Sequence, residues 1–229
     1  MKTILALFSV FLLSVSGTQA QTAEQADAKI AGYLARLDAS PPPSDLQTRI
    51  LNDSIATYLV SIGSRLPTSI NFPMARSITE GELLVKNSAD GRLRIYTWNT
   101  RQYPQSGTTM VASVIQWKTS KGVIAVAPLK VAGDSAEQYD IMGECQMIET
   151  VTTRNNKTVY LIFDRHVDIP SRWQETVTGL TIENDNLKAY PAFKTDGEKH
   201  NKITLRFNPY FGKDNCMHFG KGSPFVRIS

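Results

Sequence analysis

Apolar residues recur with a period near 3.6 until about residue 62, and with a period near 2 from about residue 82. Helices cannot absorb the second pattern and strands cannot absorb the first, so the chain must join helices to a sheet. In the first part, Ile30, Tyr33, Leu34 and Leu37 fall at i, i+3, i+4 and i+7. Leu46, Ile50, Leu51, Ile55, Tyr58, Leu59 and Ile62 form a wider stripe. Thr22 with Gln25, and Ser44 with Gln47, have capping-box spacing. Pro41-Pro42-Pro43 cannot continue a helix, and Gly63 is a natural stop. The spacing predicts helices over 22–38 and 44–62, each with one apolar stripe that must pack on something.

Strands are expected over 82–87, 91–99, 109–118, 122–129, 139–153, 157–164, 175–183, 186–194 and 202–208. Asp90-Gly91, Ser120-Lys121-Gly122, Asn155-Asn156 and Asn184-Asp185 supply turn chemistry between them. Short turns favour antiparallel neighbours. Pro191 makes 186–194 an edge or bulged strand. Residues 99–108 and 165–174 are read as longer connections. The expected fold is therefore α+β: an N-terminal helical pair (21–66) packed on an antiparallel, mostly meandering sheet (67–229) in one globular unit. A β-sandwich, a curled barrel and a partial propeller are the alternatives. The propeller rests on an internal echo, since Asp90 to Tyr96 and Asp185 to Tyr190 both run acidic turn, Leu, base, one residue, Tyr.

Residues 1–20 have the form of a signal peptide: Lys2, an apolar run from Ile4 to Val15, then small residues at Thr18 and Ala20. The run is shorter than the ~20 residues of a membrane span. Cleavage after Ala20 removes Lys2 and lowers the formal charge of +4 by one. The expected localisation is periplasmic or secreted. Export also gives the only two cysteines, Cys145 and Cys216, an oxidising compartment. They form either one disulfide, closing a loop of about 70 residues worth roughly 4 kcal/mol, or two separate thiols. With 41% hydrophobic and 20% charged residues the chain is too apolar to be disordered. Basic residues come in scattered pairs, Arg92 and Arg94, Lys118 and Lys121, Arg154 and Lys157, Lys199 and Lys202, which gives no nucleic-acid footprint.

Ser88-x-Asp90-Gly91-Arg92-x-Arg94-Ile95-Tyr96-x-Trp98-x-Thr100, with Gly107-Thr108-x-Met110 and Ile115-Gln116-Trp117-Lys118, resembles a motif of exported bacterial proteins of unassigned function. Their pattern reads SxDGKxRIYSWDT, then a glycine-threonine turn and IQYK. This chain has Asn99 in place of the Asp and Trp117 in place of the Tyr. The resemblance covers about 30 residues and implies export and a β-rich fold, with no activity attached.

Strand alternation puts Arg94, Tyr96 and Trp98 on one face, with Trp117 on the next strand. Such a set is either a binding patch for sugar or peptide, or a platform beneath the helices. Asp164, His166 and Asp168 lie at i, i+2 and i+4, so a continuing strand would point all three one way, as a general base or half a metal site. They compete with a solvated strand-end cluster. Glu144 with Glu149, or Glu175 with Glu183, could pair as glycosidase carboxylates. Asn52-Asp53-Ser54 and Asn156-Lys157-Thr158 match the glycosylation triplet. No His-Glu-x-x-His, Gly-x-Ser-x-Gly, Ser-x-x-Lys or phosphate loop is present, and no metal or cofactor is expected. The sequence reading is thus an exported, soluble, non-catalytic binding or structural module of the bacterial cell envelope, with an envelope protein or glycan as partner. The alternative is an exported hydrolase using Asp164, His166 and Asp168 or carboxylates brought together by folding.

Overall fold

The computed structural model describes residues 22–102, 110–129, 143–169, 172–195, 197–207, 217–219 and 226–228. The expected signal peptide lies outside them. The fold is α+β. Helices α1 (Ala23–Leu37) and α2 (Asp45–Arg65) both begin with the capping boxes that the sequence predicts. A 3₁₀ turn (Pro67–Asn71) and a short helix, α3 (Ala75–Gly81), follow. Neither is anticipated, because α3 has no cap of its own. Its N-terminus starts from left-handed Met74. The cap comes from α1: buried Asp27 accepts from the Arg76 and Ser77 amides, each at 2.9 Å. A partner 49 residues away leaves no local signal.

Strands β1 (Leu84–Asn87), β2 (Leu93–Asn99), β3 (Val111–Lys118) and β4 (Ile124–Leu129) form an antiparallel meander. A second antiparallel sheet takes β5 (Glu144–Thr152), β6 (Thr158–Ile169), β7 (Arg172–Glu183) and β8 (Asn186–Ala189) in succession. Two short strands, β9 (Phe193–Thr195) and β10 (Glu198–His200), pair as a hairpin. Then β11 (Lys202–Phe207) returns to β7. Among the described residues β12 (Met217–Phe219) and β13 (Val226–Ile228) form a separate two-stranded antiparallel sheet.

The order is β1-β2-β3-β4 in the first sheet and β11-β7-β6-β5 in the second, with β8 also on β7. Neither sheet closes into a barrel. Gly179 lets two strands share β7: its N–H donates to Asn201 O at 2.7 Å, and its carbonyl accepts from Tyr190 at 2.8 Å. A Cβ there would meet Tyr190 O at 2.6 Å.

The molecule is layered: helices, first sheet, second sheet. On β2 and β3, Tyr96, Trp98 and Val114 meet Ile30, Leu34, Ile55 and Leu59 of the helices. The opposite face turns Leu93, Ile95 and Ile115 towards Ile148, Tyr160, Ile162 and Leu180 of the second sheet. That sheet-on-sheet core carries the sandwich element of the reading, with helices covering one outer face. On the far side, Val159, Leu161 and Val177 pack with Phe193 as a smaller core.

Several local expectations change. Gly63 does not end α2, which runs on to Arg65. A Cβ on Gly63 would lie 2.3 Å from Val126 Cγ2 and 2.5 Å from Gln116 Nε2, so this glycine lets the helix settle on β3 and β4. The predicted strand 186–194 divides into β8 and β9 around Pro191. Residues 165–174 are not a long connection. Both strands extend: Arg165, read as loop, pairs across with Glu175 (2.7 Å), and His166 stands opposite Gln174.

Candidate functional site

Of the predicted binding patch, three residues are not on the surface. Arg94 is 1% exposed, Tyr96 0% and Trp98 1%. They face the helices, and their polar ends are met inside except for Arg94 Nε, which has no hydrogen-bond partner among the described residues. The Arg94 guanidinium donates to Ser69 O (2.6 Å) and lies over the Tyr96 ring. The Tyr96 hydroxyl donates to Gln116 (3.1 Å), and the Trp98 indole N–H donates to Asn52 (2.8 Å). Burial pushes the Tyr96 pKa up to about 12, against the smaller pull of Arg94. Asn52 is buried with its amide committed to the Thr48 and Thr100 carbonyls, so it is no glycan acceptor in the folded chain. Only Trp117 of the predicted patch reaches partial exposure, with its indole N–H on Asp185 O (2.9 Å).

The strand does continue through Asp164 and His166, which share the inner face of the second sheet with Tyr160 and Ile162. The alignment stops at Asp168. A register shift between Val167 and Ile169 breaks the alternation, and the Asp168 side chain lies outside the described residues. Asp164 is not solvated: it is 2% exposed, opposite Cys145 on β5 and Thr176 on β7. Its carboxylate oxygens have no hydrogen-bond partner among the described residues. Burial raises its pKa to about 7, against the weaker pull of Lys202 and of the nearby Gly143 amide. Such a group can hold a proton at neutral pH, but a substrate would reach it only if the fold opened.

Cys145 is equally enclosed, and burial, with Asp164 nearby, pushes its thiol up to about 12. Cys216 lies outside the described residues, and so does the predicted disulfide. Among the described residues no cluster of three or more His, Cys, Asp or Glu could hold a metal ion.

The carboxylate pairs do not meet. Glu175 and Glu183 are eight residues apart on β7, about 26 Å at ~3.3 Å per residue. Glu144 and Glu149 are about 16 Å apart by the same measure on β5. Both exceed the ~9.5 Å limit of glycosidase chemistry. Glu175 is held by Arg165, and Glu183 by Lys157.

A different site forms where the hairpin turns gather. The β1–β2, β3–β4, β5–β6 and β7–β8 turns lie at one end of the two sheets. Left-handed Gly91, Gly122, Asn156, Asn184 and Asp185 make these turns, as the sequence indicates. Cross-bonds hold them together. Tyr160 O–H donates to Asp90 Oδ2 at 2.8 Å, linking the sheets, and the Ser120 amide donates to Asp185 at 2.6 Å.

Between them is an open groove of about 400 Å³. Arg92 lines it on the first sheet, and Asn155, Asn156, Lys157, Tyr160 and Glu183 on the second. Burial opposes ionisation of Asp90, but hydrogen bonds from Ser88, the Arg92 amide and Tyr160 outweigh it and keep its pKa low. Burial and the Asp90 hydrogen bond push the Tyr160 pKa well up. The groove residues carry no motif. Their turns are legible in the sequence, but which turns become neighbours depends on how the sheets stack.

Comparison with known protein families, characterised proteins and solved structures finds no match to this chain. Among the described residues no helix is long and apolar enough to cross a membrane.

Proposed function

We propose that this chain is an exported, soluble module of the bacterial cell envelope that binds a partner at the turn-built groove without altering it chemically. The observation that carries this reading is the groove itself, with hydrogen-bonding groups from both sheets rigidly mounted on hairpin turns. Its one carboxylate, Glu183, is engaged by Lys157 and Lys188, which suits holding a ligand better than moving its protons. The signal-peptide form of residues 1–20 and the resemblance at residues 88–117 support export. A hydrolase centred on Asp164 is the second reading, favoured by that carboxyl's pKa of about 7.

Co-sedimentation of the mature chain with insoluble envelope material tests both. Asn156 is left-handed, so Asn156→Gly removes its amide without straining the turn. Combined with Asn155→Ala, it weakens co-sedimentation on the binding reading, and no soluble fragments appear. Release of soluble fragments that Asp164→Asn abolishes would carry the hydrolase reading instead.

A further inference from the structure

The turn-built end gathers cations that the sequence keeps apart. Arg92 comes from the first turn, Lys121 from the second, Arg154 and Lys157 from the third, and Lys188 follows the fourth. For Arg92 and Lys121, and for Lys157 and Lys188, proximity is readable in the acid each pair shares. Asp185, whose pKa is held down first by the Ser120 amide, also feels Lys121 and Arg92. Arg92 likewise acts on Asp90 and Tyr160.

The acids are already satisfied, Asp90 by Ser88, Tyr160 and the Arg92 amide, Asp185 by Ser120, and Glu183 by two lysines. Several of the cations are not. Lys121 and Arg154 are exposed, Arg92 is half-buried on the groove wall, and none of these three has an ion pair among the described residues. Among the described residues the Arg92 guanidinium makes one hydrogen bond, to Lys118 O at 3.2 Å, and keeps further donors for a ligand.

The neutral lining narrows the ligand. Asn155, Asn156 and Thr158 offer amides and a hydroxyl to a polyhydroxylated molecule, while the Thr181 hydroxyl beside them is taken up by Thr158 O at 2.9 Å. The volume falls in the range of small-ligand sites, roughly 300–1,000 Å³. Separate cations around an amide-lined groove fit an anion-bearing sugar chain better than the continuous basic stripe of a nucleic-acid site. We infer that the turn-built end binds an anionic polysaccharide, its carboxylates or phosphates meeting Arg92, Lys121 and Arg154 while its hydroxyls meet the groove. This rests on the binding reading above and names the ligand class of that site.

The test measures affinity of the mature chain for polygalacturonate, a phosphomannan, neutral dextran and a short DNA duplex. The expected result is binding of one or both anionic glycans, no binding of dextran, and a marked loss of affinity on raising salt from about 50 to about 200 mM. The polygalacturonate and phosphomannan arms tell carboxylate from phosphate. Arg92→Gln with Lys121→Gln lowers that affinity by roughly tenfold or more. Arg36→Gln with Arg49→Gln, on exposed helix positions, loses the same charge and leaves it unchanged.

Dextran bound as well as polygalacturonate, DNA bound more tightly than either glycan, or equal loss in both double variants would overturn the inference. Envelope co-sedimentation that survives Arg92→Gln with Lys121→Gln, but not the Asn155/Asn156 variant, would overturn the ligand class and leave the binding reading standing. Absence of co-sedimentation by the unmodified chain would overturn both.

Discussion

Asp164 sits where its charged form is disfavoured, and that gives the fold a pH signature. Its carboxyl ionises near 3.8 when solvated and near 7 in the folded chain. Between those values the folded state keeps a proton that the unfolded state has released, so stability falls as pH rises from about 4 to about 7. Below that window both states are protonated and the contribution is intact. The shift corresponds to roughly 4 kcal/mol at most. Asp164→Asn has no charge to bury. Thermal melts from pH 4 to 8 should show the unmodified protein losing stability relative to the variant across that window. Parallel profiles would mean that the folded carboxylate is solvated. The sequence places Asp164 and His166 on one face, but it cannot tell a solvated strand end from a covered one. That distinction comes from which elements lie over the strand, a non-local property.

At the scale of elements, two glycines in helices do opposite things. Gly63 of α2 faces Val126 and Gln116 at distances that a Cβ could not share, whereas Gly32 of α1 is exposed and has nothing within 4 Å. Gly63→Ala should destabilise by about 1–3 kcal/mol as the helix is pushed off the sheet. Gly32→Ala should stabilise by roughly 0.5–1 kcal/mol through helix propensity. Denaturant melts of both variants give the comparison, and a stabilising Gly63→Ala would contradict the close helix–sheet contact. From sequence alone Gly63 reads as a helix stop, because the residue type is the same for a cap and for a close approach. The capping boxes at Thr22 and Ser44 are legible because both partners lie within one turn. The α3 cap is not, because its carboxylate belongs to α1.

At the scale of the whole molecule, the change of period near residue 82 is enough to predict helices on an antiparallel sheet, and the structure has that architecture. The turn dipeptides also predict the β1–β2, β3–β4, β5–β6 and β7–β8 hairpins, but not β6–β7, where residues 165–174 read as a longer connection. The sequence does not reveal that the second meander folds face-on to the first, so that four turns share one end. That stacking separates the two candidate regions: a turn-built polar groove at Arg92, Asn156 and Tyr160, and an enclosed carboxylate at Asp164 farther along β6. It also turns scattered basic residues into neighbours, which no count of charge runs detects. The same stacking directs Arg94, Tyr96 and Trp98 under the helices, leaving the first sheet's surface chemistry to its turns.

On this structure the turn end is where the proposed partner would bind. Hydrogen exchange with and without insoluble envelope material, read by mass spectrometry on the bound fraction, locates the contact directly. Exchange should slow in the turns at 88–92, 119–122, 153–157 and 184–185, with β6 unchanged around Asp164. Protection confined to residues 161–166 and 202–206, with the turns unaffected, would contradict it.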